Sequence, residues 1–432
     1  PLSNQTPFVE TLHVETLHCN VSTTTTTVDT AFNKITRDTV AKILFTSGST
    51  GLPKGVINTH GNISTNWQQI TQVYPFMAEK GLTIVDWLPW NHVFGGNHNI
   101  GLTLYNGGSF YIDGGNPTPQ GVAITLENLR TIRPTVYFNV PKGFEGIAMA
   151  LKNDAALSAS FFSQLKMLFY AGASLPQHIW DSLEALAIET TGKRILFSTA
   201  LGMTETSPGC VYNLKRGSFA GMLGTPVPQL EMKLVPTGSK MELRFRGNNV
   251  TSGYWRNPEA TAKAFDTEGF ICSGDAVKMV DSDDPNEGIV FNGRIAEDFK
   301  LDTGTWVSVG SVKGSLLEAG KGLIQDAVIT GHDKSFLGAI VFPELNHCRR
   351  LANLEETASL TDIVNHPSVI LALEQVLDDL ANKFKSSSTL IRKAVFADFI
   401  LSIDKGEITD KGSINQRQIL ENYGGVVAQI YE

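Results

Sequence analysis

Short apolar runs recur from Val40 onward, each closed by turn residues and most of them followed by an amphipathic stretch. Residues 41–45, 82–88, 109–112, 135–140, 166–170 and 195–198 read as strands, with helical spacing between most of them. That alternation predicts a large α/β domain with mixed, mainly parallel sheets. From residue 221 to 250 the helical signal fades, and 231–234 and 241–245 indicate a β-rich subdomain. The run DSDDPNEG at 281–288 is a turn, followed by a short strand at 289–292. Beyond Arg294, strands at 327–330 and 337–342 and a helix at 369–384 predict a smaller C-terminal α+β domain. The boundary is placed near residue 297, giving domains 1–296 and 297–432. Ahead of Val40 the periodicity is weak, and the threonine run 23–27 reads as an extended connector or an edge strand.

Composition narrows the class. The chain has 432 residues, 42% hydrophobic and 18% charged, enough apolar material for a large core and too little charge for a disordered chain. Thirty-five basic residues against 43 acidic ones leave a net charge of −8, so no bulk basic field exists to hold a nucleic-acid backbone or an anionic membrane. Cys19, Cys210, Cys272 and Cys348 lie far apart with no metal-ligand spacing, and a reducing cytoplasm is the simplest location. No run approaches the roughly 20 apolar residues of a membrane span. The partner expectations are therefore no nucleic acid and no membrane, with homodimerisation left open. The chain opens on Pro1 and reads at once as mature polar sequence, which points to a fragment or a processed product.

The densest chemistry lies in Thr46-Ser47-Gly48-Ser49-Thr50-Gly51-Leu52-Pro53-Lys54-Gly55, directly after an apolar strand. Glycines let backbone N–H groups approach an anion, hydroxyls donate further hydrogen bonds, and the lysine adds charge: the makings of a polyphosphate cradle. A Walker A loop is excluded, because Pro53 precedes the lysine and Gly55 follows it.

This loop resembles the signature of the acyl-adenylate-forming superfamily, and further segments match it in order from about Val40 to Leu420. Leu88-Pro89-Trp90-Asn91-His92 is similar to the segment whose aromatic or histidine side chain lies at the acyl carboxylate. Tyr170-Ala171-Gly172-Ala173-Ser174-Leu175 resembles the loop lining the adenine and acyl pocket. Leu201-Gly202-Met203-Thr204-Glu205-Thr206 resembles the segment in which the threonine contacts the α-phosphate and the glutamate holds Mg²⁺. Asp275 stands where an aspartate binds the ribose hydroxyls, and Arg294 and Glu297 where the hinge motif lies. Within the superfamily, residues 90–99, 297–308 and 409–417 are similar to bacterial feruloyl-CoA synthases.

The resemblance implies an acyl-CoA synthetase-like fold, ATP, Mg²⁺ and coenzyme A as reactants, and a small aromatic carboxylic acid such as ferulate as substrate. It implies a mobile C-terminal domain turning about Glu297, with Lys411, His92, Thr204 and Glu205 catalytic and coenzyme A entering past Gly304. It also implies a substantial portion ahead of the phosphate loop, so a missing N-terminal part is expected. Three positions depart from the pattern. Leu201 replaces a stacking tyrosine and reads equally as a core residue. Glu297 replaces an aspartate. The C-terminal lysine motif is displaced, so a gapless alignment on Arg417 puts Ser413, not Lys411, at the lysine position. Rival readings are a medium-chain or other aryl acyl-CoA ligase, a carrier-protein loading enzyme, and a catalytically weak nucleotide-binding homologue. His98 reads as a pocket-wall or helix-start residue rather than a metal ligand, and Cys210 as a buried small residue.

Overall fold

Strands covered on both faces read as unbroken apolar runs, and Val136–Asn139 and Met167–Tyr170 are buried at every position. They pair in parallel with each other, and Met167–Tyr170 pairs in parallel with Leu196–Gly202. Helices Pro141–Asn153, Ala155–Phe162 and Gln177–Thr191 make the crossovers. Their Phe144, Phe161, Trp180 and Leu183 share one core with Tyr137 and Phe197. Past Gly202 the direction alternates. Gly209–Tyr212 pairs antiparallel with its predecessor, and Met222–Pro226 antiparallel with Gly209–Tyr212, so the sheet is mixed. A second sheet pairs Thr83–Asp86 in parallel with Ser109–Ile112, with Thr11–Leu12 antiparallel at its edge.

The computed structural model describes residues 11–12, 25–46, 53–238, 240–402, 404–408 and 414–432. The chain divides into two compact units, one of 1–235, 243–273 and 279–290, the other of 236–242, 274–278 and 291–432. Among the described residues no helix is long and apolar enough to cross a membrane.

One expectation is corrected near the start. Thr25–Phe32 is a helix, where the threonine run was expected to be extended. Threonine costs less than about 0.7 kcal/mol per helical residue relative to alanine, which weakens a helix without forbidding it.

The hairpin that positions the site pairs Val40–Thr46 antiparallel with Lys54–Thr59, bringing Thr46 opposite Lys54. The second strand runs straight into helix His60–Val73. Thr59 caps that helix by accepting from the Asn62 N–H, and the Asn62 side chain accepts from the Thr59 N–H in return. The other edge of Lys54–Thr59 takes up the chain around Tyr254: Val56 bridges Tyr254, the Ile57 N–H donates to the Gly253 carbonyl and the Trp255 N–H to the Gly55 carbonyl.

The second unit is built on Leu337–Pro343, antiparallel to Ile324–Thr330 and parallel to Ile391–Phe396. Period-two alternation splits its apolar residues. Ala327, Ile329, Ala339 and Val341 pack with helices Val309–Ala319 and Pro367–Lys383. Val328, Ile340 and Phe342 pack with Ile419 and Ile430 of the last two helices.

Candidate active site

Glu205 sits in the single turn Thr204–Thr206, and the three carbonyls of this turn are each held by a separate donor. The Asn58 amide donates to Thr204 O at 3.2 Å, the Thr251 N–H to Glu205 O at 2.7 Å, and the Asn249 amide to Thr206 O at 3.0 Å. Asn62 secures the turn that carries Asn249 by giving both amide hydrogens to the carbonyls of Asn248 and Val250. Thr204 and Glu205 are buried, at 9% and 6% exposure. The Tyr254 hydroxyl donates to Glu205 Oε1 at 2.8 Å. The Lys54 ammonium lies over the same phenol ring, 5.1 Å from its centroid. Burial and the neighbouring carboxylate push the Tyr254 phenol well above its ordinary range, so the ring keeps its proton and remains a donor.

Lys54 and Glu205 are thus joined through Tyr254, while Thr46 faces Lys54 across the hairpin. Ser47, Gly48, Ser49, Thr50 and Gly51 lie outside the described residues. Gly202 is exposed, and a side chain there would run into the Pro208 carbonyl, 1.8 Å from the added carbon. Met203 and Leu201 are half-buried beside it. Gly172, Ala173 and Ser174 are exposed where the chain leaves Met167–Tyr170, and Gly172 holds φ at +92°.

His92 precedes a π-helical turn, Phe94–Ile100. Its Nδ1 accepts the Phe94 N–H at 3.1 Å, so the neutral ring carries its hydrogen on Nε2. The turn packs directly on the segment before it. An added carbon on Gly95 would lie 2.5 Å from the Pro89 carbonyl, and one on Gly96 2.2 Å from the Trp90 carbonyl. His98 is fully enclosed within this turn. It stacks on Phe169 and Tyr212 and meets Phe94 and Phe138 edge-on. Burial lowers its pKa to about 4. Cys210 is buried, and its thiol is pushed up to about 12 by that burial.

In the second unit, Arg294 Nε lies 3.5 Å from Asp275 Oδ1. Burial raises Asp275 above the ordinary carboxylate range; Arg294 works against that rise, and Glu297 and Glu242 add to it. Glu297 is also raised by burial, opposed by Arg294 and Lys313. Its neighbour Asp298 is locked to Lys240 at 2.7 Å in a pair that is 3% and 10% exposed. Gly304 is exposed, at φ +77°, in the turn between Phe299–Lys300 and Trp306–Val307. Lys411 and Ser413 lie outside the described residues.

Sequence reasoning passed over Tyr254, Asn58, Asn249 and Thr251. A partial signal was present. Asn62, Asn66 and Gln69 form an amide stripe at helical spacing in His60–Val73, and all three are buried. Their amides donate to carbonyls near Asn249, at Gly209 and at Pro228.

A mixed sheet with parallel crossovers and a second, α+β unit define a two-unit α/β architecture. The chain belongs to the AMP-binding enzyme family: residues 5–255 match the AMP-binding enzyme model and residues 301–432 the AMP-binding enzyme C-terminal domain. It is 24% identical to the probable acyl-activating enzyme 16, chloroplastic, of Arabidopsis thaliana, over 93% of this chain and 64% of that protein. It is 28% identical to the probable CoA ligase CCL8 of Humulus lupulus, over 66% of this chain and 48% of that protein. Among solved structures, ATP-bound MatB from Rhodopseudomonas palustris superposes with a TM-score of 0.68 at 20% identity, covering 90% of this chain and 69% of that one. The chain therefore spans about two thirds and about half of the length of the two curated relatives.

Proposed function

We propose that the protein is an ATP-dependent carboxylate:CoA ligase that works through an acyl-adenylate, with ferulate or a related hydroxycinnamate as the acid. The observation that carries the reading is Glu205: a buried carboxylate with no ion-pair partner recorded among the described residues, on a turn whose three carbonyls are all held. The donor set fits Mg²⁺, which takes one or two carboxylates plus phosphate oxygens rather than an all-protein cage. When bound, Mg²⁺ would supply positive charge at the triphosphate.

The chain's own groups divide the remaining work. A carboxylate must approach the α-phosphorus of ATP while both are anionic, so fixed positive charge and hydrogen-bond donors at the phosphates lower the barrier. Lys54 and the loop that begins at Thr46 are assigned to the phosphates, with the Thr204 hydroxyl at the α-phosphate. The Nε2–H of His92 is assigned to the acid's carboxylate, orienting it without removing its charge. An acid oxygen bonds to the α-phosphorus and diphosphate leaves; the thiol of coenzyme A then attacks the carbonyl and AMP leaves. Asp275 and Arg294 are assigned to the ribose, Gly172–Ser174, Gly202 and Met203 to the nucleotide and acyl walls, and Gly304 to the coenzyme A path.

Rotation at Glu297 would bring Lys411 to the phosphates for the first step and withdraw it for the second. The choice of an aromatic acid rests on the resemblance of residues 90–99, 297–308 and 409–417 to feruloyl-CoA synthases. The test is pyrophosphate release with ferulate, coumarate, benzoate and octanoate in turn. Strong release with the two hydroxycinnamates supports the reading, and strong release with octanoate alone replaces it with a fatty acyl-CoA ligase.

A further inference from the structure

Lys42 projects from the first hairpin strand, half-buried, with no carboxylate partner recorded among the described residues. Its ammonium donates to Asn97 Oδ1 at 2.9 Å. Asn97 Nδ2 donates to Asn58 Oδ1 at 2.7 Å, and Asn58 Nδ2 donates to Thr204 O at 3.2 Å. Both asparagines have no exposed surface. The two ends dictate the direction of the chain: an ammonium can only donate and a carbonyl can only accept, so each amide has one orientation that satisfies both neighbours. Aligned hydrogen bonds polarise one another, and here the polarisation begins at a full charge and ends one residue before Glu205. The middle member belongs to the π-helical turn that follows His92, and its own carbonyl accepts the Trp67 indole N–H at 2.6 Å.

We infer that Lys42, Asn97 and Asn58 are positioning residues for the reaction: a one-way relay that fixes the Thr204–Glu205 turn relative to the segment carrying His92. The inference rests on the functional reading above, in which that turn faces the phosphates and His92 faces the acid. A polar side chain at position 58 of the strand and at position 97 of the turn, both fully buried, is costly unless each is satisfied on both sides, which this relay accomplishes.

Asn97→Asp separates a relay from simple packing. The introduced carboxylate has nearly the same shape and gains an ion pair with Lys42, so packing alone expects an intact and fully active protein. A carboxylate cannot donate, so Asn58 must turn its amide hydrogens toward it and leave its own oxygen against Thr204 O. The expected result is a fall of about tenfold in kcat for acid-dependent pyrophosphate release, the scale of one lost buried hydrogen bond. The KM of the acid should stay within about twofold, and amide hydrogen exchange across 203–206 should speed up. In an Asn58→Leu background the same change should add little, because the relay is already cut. Unchanged kcat and unchanged exchange in Asn97→Asp, or losses that simply multiply in the double variant, overturn the relay. A wild-type protein that adenylates no acid overturns the functional reading instead, and hydrogen exchange at 203–206 in Asn97→Asp then decides the relay by itself.

Discussion

The hydroxyl of Tyr254 donates to Glu205 Oε1 at 2.8 Å while the ring below it carries the Lys54 ammonium on its face. One side chain therefore ties the cation at the start of the returning hairpin strand to the acidic turn, although 49 residues separate Glu205 from Tyr254. Tyr254→Phe keeps the ring and removes the donor. Adenylation is expected to slow by about 10- to 100-fold, since a hydrogen bond to a charged group contributes about 1.5–3 kcal/mol. An undiminished rate of pyrophosphate release in this variant would show that the bond does not hold Glu205 for the reaction.

Lys411→Ala should slow adenylation by about 10²–10³, as the loss of a charge-stabilising donor does, and leave thioester formation from preformed acyl-AMP largely intact. Single-turnover measurement of each half-reaction checks this. Greater damage from Ser413→Ala would move the lysine role to the other register.

Lys240 and Asp298 form a buried pair beside Glu297, and Asp298 also accepts the Val309 N–H at 3.0 Å. Lys240→Met leaves Asp298 charged and without its cation in the interior, at an expected cost of about 3–5 kcal/mol. Urea unfolding should show the midpoint of the second unit falling; a midpoint that stays put would mean that solvent reaches the pair.

Asp86 is 1% exposed, and burial raises its carboxyl to about 7 from an ordinary 3.8, with Asp113 adding to the rise and Asn99 opposing it. The folded state thus holds the proton more tightly than the unfolded chain. Stability from this group is complete below about pH 4 and is lost as pH rises through about 7. Asp86→Asn should accordingly raise the melting temperature at pH 8 more than at pH 4. An equal change at both values would place the folded pKa of Asp86 near its unfolded one.

The strands were legible where apolar residues run together between turn residues: Ser109–Ile112 has the bounds its run predicts, and the fully buried Met167–Tyr170 differs by one residue. Lys54–Thr59 was not, because KGVINT carries polar residues at both ends and no clean alternation. The threonine run failed because threonine's weak helix propensity disfavours a helix without forbidding one, and residues 28–32 of the helix it enters are exposed. At the site, Lys54 stood out because hydroxyls, charge and glycines crowd into one short segment, while Thr204, Glu205 and His92 were singled out by the resemblance to the acyl-adenylate-forming superfamily. Tyr254, Asn58 and Asn97 could not. Their roles exist only through partners 49, 146 and 39 residues away, and a tyrosine or asparagine in a strand otherwise reads as packing.

Acid-dependent ATP–pyrophosphate exchange by the purified chain with Mg²⁺, comparing ferulate, coumarate, benzoate and octanoate in the wild type and in Glu205→Gln, is the most direct measurement. The expected result is exchange driven by ferulate and coumarate and reduced by about 10²-fold or more in Glu205→Gln, the scale of losing one preorganised electrostatic group. Tight ATP binding with no exchange for any acid, or exchange that Glu205→Gln leaves untouched, would contradict it.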